Sequence, residues 1–294
     1  MKQQIKVAIL KRLRWYSALL MALLCAAECA ALFFFPLELV THFALHIILL
    51  VSLCSFAFPR RWRYVTWALA VVTIIFAILP FSVGTKGESG TKIIAYNMHF
   101  ENAHKEKEAN LLLHSKADML ALLEAGGTQW QEPLHSLRQH YPHTCGHEDD
   151  GPFAMQLLSQ RPLQACEVGF FDIYPYIRAV TADKRTIFLL HPPPPVSREL
   201  AQGRLNYFRD AATAIASEEN AVLVVGDLNN TPYSPTYHRF KNSARVADAL
   251  PHATPTWKPL LLPLDRVLYR QGKVFASSLP WQHSDHRPIW IEWQ

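Results

Sequence analysis

The run AVLVVGDLNNTPYSP, residues 221–235, decides the architecture. Its first five residues are aliphatic, too short and too continuous a stretch for an exposed helix, and they read as a buried strand. Asp227 and Asn229 follow at once. Two positions apart at a strand end, they can face the same side while the chain begins to turn.

The same pattern recurs outward in both directions. Strands are predicted in TKIIAYNM (91–98), ADMLALLE (117–124), FAMQLLS (153–159), IRAVTAD (177–183), TIFLLH (186–191), LDRVLYR (264–270) and PIWIEW (288–293). Segments 104–115, 128–140 and 198–218 read as helices. Strands enough for two sheets, with helices between them, predict an α/β sandwich of two packed sheets covered by helices. Polar residues sit where the strands end: Asn97, Glu124, His191, Asp227, Asn229 and Asp265, with Ser284, Asp285 and His286 before the last strand. A sheet is a rigid platform that aims side chains from distant positions at one point, so this is the pattern of a site.

The N-terminal third is different. The chain has 294 residues, half of them hydrophobic, which excludes disorder, a collagen-like chain and a small disulfide scaffold. Of 29 Lys and Arg and 24 Asp and Glu, residues 1–84 hold eight and two, leaving 21 and 22 for residues 85–294. The first part is therefore +6 and the second −1, so the basic balance gives no support to a nucleic-acid-binding face. Trp15 to Pro59 carries only two formal charges, Glu28 and Glu38, and Tyr64 to Thr85 carries none. A membrane anchor at 1–83 with three transmembrane helices, near 15–35, 37–58 and 63–81, is expected, broken first at Pro36. Lys2, Lys6, Lys11, Arg12 and Arg14 precede the first, and Arg60, Arg61 and Arg63 lie between the second and third. The positive-inside rule then puts the N-terminus in the cytoplasm and residues 85 onward outside it. A cleaved signal peptide is the rival, but no small-x-small cleavage site follows the apolar run. Glu28, His42 and His46 read better as hydrogen-bonding groups between helices than as an ion relay. Residues 84–90, with three glycines, form a flexible linker. Cys145 and Cys166 would meet an oxidising compartment, which permits a disulfide while leaving their separation open.

Taken in order, AYNMHFEN, ADMLALLE, FLLHPPPP, VVGDLNNTPYSP, TPTW, LDRVLYR and SDHRPIW resemble the signature blocks of the endonuclease/exonuclease/phosphatase (DNase-I-like) family. The arrangement with an N-terminal anchor and the HPPPP block is most similar to its bacterial membrane-anchored branch. The resemblance covers residues 91–294 and implies a four-layer α/β sandwich hydrolysing a phosphomonoester or phosphodiester by metal-assisted water attack. It implies a location at the bacterial inner membrane with the catalytic domain periplasmic.

Hydrolysis of a phosphoester needs a nucleophilic water, charge stabilisation on phosphoryl oxygens and help for the leaving oxygen. Glu124 suits the main ligand of a hard divalent ion, Mg²⁺ or Mn²⁺ in its place, and the family implies the same role. Asp227 would orient or deprotonate the water, and Asn229 would donate to the phosphate. The family sets Asp265 against His286, where it would fix the ring and favour its cation. Asp285 would add a second metal contact, Asn97 would position Glu124 or the phosphate, and His191 would meet a phosphoryl oxygen. Members acting on abasic DNA carry an acidic residue where this chain has His99; Asn102 would substitute as a polar contact. Arg198, with Arg204 and Arg209, would form a local phosphate patch.

The substrate class stays open among lipid-linked, small-molecule and nucleic-acid phosphoesters. In Trp257–Leu264 the leucines read either as core, the favoured reading, or as an edge touching the lipid bilayer or an acyl chain. Nothing points to a protein partner. A non-catalytic binding module is disfavoured by the complete set of Asn, Glu, Asp and His residues, and a membrane sensor would rest only on Glu28, His42 and His46.

Overall fold

The computed structural model describes residues 2–31, 33–78 and 90–294. The chain divides into two compact units, Met1–Leu79 with Thr231–His238, and Pro80–Asn230 with Arg239–Gln294.

In the first unit, α1 (Lys2–Ala30) is followed by α2 (Phe35–Thr41), α3 (Ala44–Leu53), a 3₁₀ turn at Cys54–Ala57 and α4 (Arg60–Ile78). The expectation of three crossing helices is corrected here. Among the described residues only Gln3–Ala30 is long and apolar enough to cross a membrane by itself. Phe35–Thr41 and Ala44–Ala57 qualify only as a pair bent by 56°. The physical reason is local: Pro36 opens a new helix in its first turn, where its missing N–H costs nothing, and that helix stops after seven residues. An uninterrupted apolar run fixes lipid solubility and not helix continuity. Glu38 and His42 are buried, whereas Glu28 and His46 are exposed. The end of the third expected span, and positions 84–89 of the expected linker, lie outside the described residues.

The second unit is the expected sandwich. Its elements are β1 (Thr91–Asn97), α5 (Lys105–Leu113), β2 (Met119–Leu123), α6 (Gln131–His140), β3 (His143–His147), β4 (Met155–Ser159), β5 (Leu163–Phe171), β6 (Tyr174–Thr181), β7 (Thr186–Leu190), α7 (Arg198–Ser217) and β8 (Val222–Asp227). They continue through β9 (Ala247–Asp248), β10 (Asp265–Arg270), β11 (Val274–Ser278) and β12 (Ile289–Trp293). A further helix, α8 (Pro235–Ala244), runs across the boundary between the units in sequence.

Six strands form one sheet in the order β11-β12-β1-β2-β4-β3, and six form the other as β5-β6-β7-β8-β10-β9. Alternate residues decide which side each strand packs on. Ile93, Ala95, Met119, Ala121, Leu123 and Leu157 of one sheet meet Ile177, Ala179, Ile187, Leu189, Leu223, Val225 and Val267 of the other in a shared core. On the far side of the first sheet, Ile94, Tyr96, Leu120 and Leu122 pack with Leu112 of α5 and Leu134 and Leu137 of α6. The central strands are therefore buried on both faces, which is why they read as unbroken apolar runs.

The two parallel pairs, β1 with β2 and β7 with β8, aim their carboxyl ends at the site. The antiparallel neighbours supply the rest: Asp265 at the start of β10 is the register partner of Asp227 at the end of β8. Gly226, just before Asp227, lets β8 lie close against the end of β7. Its φ is +138°, and a Cβ there would collide with the carbonyl oxygen of Leu190 on β7.

Candidate active site

Asn97, the last residue of β1, sits at the centre. Its Nδ2 donates to Glu124 Oε1 at 2.8 Å and to Asp227 Oδ2 at 3.2 Å, and its Oδ1 accepts from the His99 N–H at 3.0 Å. One amide thus spans both sheets. Glu124 follows β2 with φ +57°, a left-handed conformation that non-glycine residues rarely adopt and that concentrates at functional sites. Two bonds hold it there: its N–H donates to the Ala154 carbonyl at 2.8 Å, and its Oε2 accepts from the Phe100 N–H at 3.2 Å.

The histidines close the ring. His191, buried after β7, places Nε2 3.8 Å from Glu124 Oε1 and 3.9 Å from Asp227 Oδ2. His286 places Nε2 3.7 Å from the same Asp227 oxygen, while its Nδ1 is 2.7 Å from Asp265 Oδ2. Asp265 is itself aligned by its N–H, which donates to Thr256 Oγ1 at 2.9 Å. Ligand atoms of Glu124, His191 and Asp227, and separately of Asp227, Asp265 and His286, lie within 4.8 Å of one another.

Electrostatics separates the roles. Burial opposes a charge on His286, but the carboxylates of Asp265 and Asp227, the hydrogen bond to Asp265, and Asp285 together push its pKa up to about 10. The ring is therefore a cation at neutral pH. Burial, with Asp227 nearby, raises the Asp265 carboxyl, and the His286 charge works against that rise.

Of the residues expected at the site, Asn97, Glu124, His191, Asp227, Asp265 and His286 converge. Asn229 is adjacent, with its N–H donating to Asp227 Oδ1 at 2.8 Å and φ at +46°, but its Nδ2 donates to the Pro192 carbonyl at 3.0 Å. Asp285 accepts from Trp257 Nε1 at 2.9 Å and lies 4.0 Å from His99 Nδ1, apart from both groups of potential ligands. Asn102 is buried in its own turn, donating to the Met98 carbonyl and accepting from the His104 N–H. Arg198 stands exposed in the first turn of α7. The expected arginine patch does not form: Arg204 is buried and donates to the Asn229 carbonyl at 2.7 Å, and Arg209 pairs with Asp210. Nearness along the chain after the HPPPP block grouped these arginines, whereas α7 turns Arg204 into the core and Arg209 to solvent.

Three contributors were given no role at the site by the sequence reading. Thr256 and Trp257 lie in the TPTW block, whose polar atoms gave a usable signal beside Asp265. Glu108 lay hidden among the charges of KEKEANLLL, although it shares a helical face with Leu112, four residues on.

Residues 94–286 match the model of the endonuclease/exonuclease/phosphatase family. Among solved structures, sphingomyelinase C from Streptomyces griseocarneus is similar at TM-score 0.56 and 17% identity, covering 69% of this chain and 99% of that one. An AP endonuclease from Archaeoglobus fulgidus gives 0.55 and 16%, covering 69% and 98%. A beta toxin mutant from Staphylococcus aureus, solved with bound magnesium ions, gives 0.55 and 16%, covering 69% and 99%. At these identities the likeness is one of fold. Among curated proteins none matches the chain.

Proposed function

The chain belongs to the endonuclease/exonuclease/phosphatase family of metal-dependent phosphoric-ester hydrolases, and on that premise we propose a membrane-anchored phosphoesterase acting outside the cytoplasm. The observation that carries the reading is the convergence of Glu124, Asp227, Asp265, His191 and His286 on one volume, bridged by the Asn97 amide.

The donor set fits a hard divalent cation. The carboxylates of Glu124 and Asp227 offer oxygen to a space a few ångströms wide, held in place by the Asn97 amide N–H groups, and Mg²⁺ keeps several waters and needs no more than one or two carboxylates. Glu124, oriented by Asn97, would hold it, and when bound it would neutralise charge on a phosphoryl oxygen. Asp227 has one oxygen free of the Asn229 bond and aimed between two imidazoles, so it holds the attacking water and takes its proton. His286, kept cationic by Asp265, donates from Nε2 to a phosphoryl oxygen as charge builds there. His191 Nε2 faces the same volume and orients the phosphoryl group.

Two features support a substrate presented at a membrane. The helix Gln3–Ala30 has the length and hydropathy to anchor the chain. Leu260 and Leu261 stand 47% and 55% exposed on the turn that follows Trp257, whose indole N–H donates to Asp285 beside His286. The charge of −1 over residues 85–294 works against tight duplex binding, since that requires many Lys and Arg on phosphates. A disulfide between Cys145 and Cys166 suits an oxidising compartment.

The test is a hydrolysis panel on the full chain in detergent, with lipid phosphoesters, an aryl phosphodiester, nucleotides, and single- and double-stranded DNA and RNA. Activity is expected to require Mg²⁺, to vanish with EDTA, and to fall by about 10² or more in Glu124→Gln. Turnover indifferent to both EDTA and the substitution would sink the reading.

A further inference from the structure

We propose that Glu108 is a positioning residue, whose single carboxylate oxygen bolts the turn carrying Asp285 and His286 to the end of β1. The inference rests on the phosphoesterase reading above and assigns a function to a residue outside the converging set.

Glu108 lies in α5 with no exposed surface. Its Oε1 accepts three hydrogen bonds: from the His283 N–H at 2.8 Å, the Ser284 N–H at 3.0 Å and the Tyr96 hydroxyl at 3.0 Å. Tyr96 directly precedes Asn97, and Ser284 is two residues before His286. A second bolt runs parallel to the first, because Ser284 Oγ donates to the Asn97 carbonyl at 2.8 Å and accepts from the His286 N–H at 3.0 Å. The segment between β11 and β12 is therefore tied to the end of β1 by one buried carboxylate and one hydroxyl, while backbone bonds of Asp285 and Arg287 to Lys258 and Thr256 hold its other side.

Packing alone does not explain the residue. A buried carboxylate loses its hydration, and no ion pair to Glu108 offsets that loss among the described residues, so an aliphatic side chain would fill the space more cheaply. What an aliphatic chain lacks is an acceptor for two successive backbone N–H groups. The consequence falls on His286, whose ring must keep 2.7 Å to Asp265 and 3.7 Å to Asp227 at once. A shift of an ångström in the turn breaks that geometry, and such misplacement costs up to about 10² in rate.

The acceptor, and not the charge, is the working feature. Oε2 of Glu108 has no partner among the described residues, so the carbonyl of a glutamine at this position can take over all three bonds. The experiment compares Glu108→Ala and Glu108→Gln in the full chain. In Glu108→Ala, kcat is expected to fall by about 10- to 100-fold with KM within about twofold, and Glu108→Gln to stay within about threefold of the parent. The downfield His286 Nδ1–H resonance should vanish in the first variant and persist in the second. Parental kcat in a folded Glu108→Ala, or equal loss in both variants, overturns the proposal. Should Glu108→Ala fail to fold, amide exchange in the unsubstituted protein decides: slow exchange at His283 and Ser284 supports the bolt, and fast exchange refutes it. The resonance and exchange readouts need no turnover, so an inactive parent would discredit the phosphoesterase reading while leaving this one to be judged separately.

Discussion

At the scale of single residues, the site is a set of conflicts resolved by neighbours. Glu124 tolerates a left-handed backbone because Ala154 and Phe100 over-determine it. His286 keeps its proton although buried, because Asp265 touches one nitrogen and Asp227 faces the other. With its pKa pushed up to about 10, the ring should remain protonated through pH 8 in a metal-free NMR titration. Asp265→Asn should lower its midpoint by at least about one unit; a parent titrating near the ordinary value of about 6.5 would contradict the ion-pair assignment. The sign for stability follows for His286: while the carboxylates facing it are ionised, its raised pKa contributes fully at about pH 6.5, and that contribution is lost as pH rises through about 10. Asn97, Glu124, Asp227, Asp265 and His286 were legible as an ordered set, because they stand at or near the ends of apolar runs in blocks that resemble the family's. Glu108 was not, since its neighbours in KEKEANLLL read as a solvated face.

At the scale of elements, the strands buried on both faces were legible and the edge strands were not. β3 and β5 mix half-buried and exposed positions and include Gly, Gln, Glu and His, so their composition resembles loop. Each pairs with the next strand along the chain, β3 with β4 and β5 with β6, and it is that ladder, not an apolar run, that makes them strands. The turn after Trp257 shows a similar split: Leu262 and Leu264 are core, while Leu260 and Leu261 project. Residue-level hydropathy cannot divide four nearby leucines that way; the Trp257–Leu262 bridge does. Leu260→Ser with Leu261→Ser should leave stability within about 0.5 kcal/mol, as exposed changes usually do. It should reduce hydrolysis of a bilayer-embedded phosphoester by about fivefold or more, through lost apolar area at the lipid contact, and spare a soluble aryl phosphodiester. Equal loss on both substrates would remove the lipid-facing role. The N-terminal helices carry the opposite lesson, for hydropathy marked the apolar region well and its breaks poorly.

At the scale of the whole molecule, the catalytic unit depends on two sheets held in fixed register, because Asn97 and Glu124 come from one and Asp227 and Asp265 from the other. The disulfide between Cys145 on β3 and Cys166 on β5 joins the free edges of these sheets, with Cα atoms 6.0 Å apart across a sequence separation of 21. Closing a loop of that length restricts the unfolded chain by about 3 kcal/mol. The Cys145→Ser, Cys166→Ser double variant should therefore unfold at a lower urea midpoint, with an unfolding free energy smaller by that margin, and keep near-parental activity at 25 °C. An unchanged midpoint would show that the cross-link does not hold the sheets.

By itself the sequence determined where strands end, which residue types stand at those ends, and that an apolar N-terminal region precedes a near-neutral α/β domain. These are properties of local runs, since burial periodicity is written within ten residues or so. Only the tertiary structure decided which ends meet, that Arg204 turns inward while Leu261 turns out, and that Glu108 grips a turn 175 residues away. Such facts depend on the packing of two sheets, where a shift of an ångström changes a partner and no neighbouring residue in the chain records it.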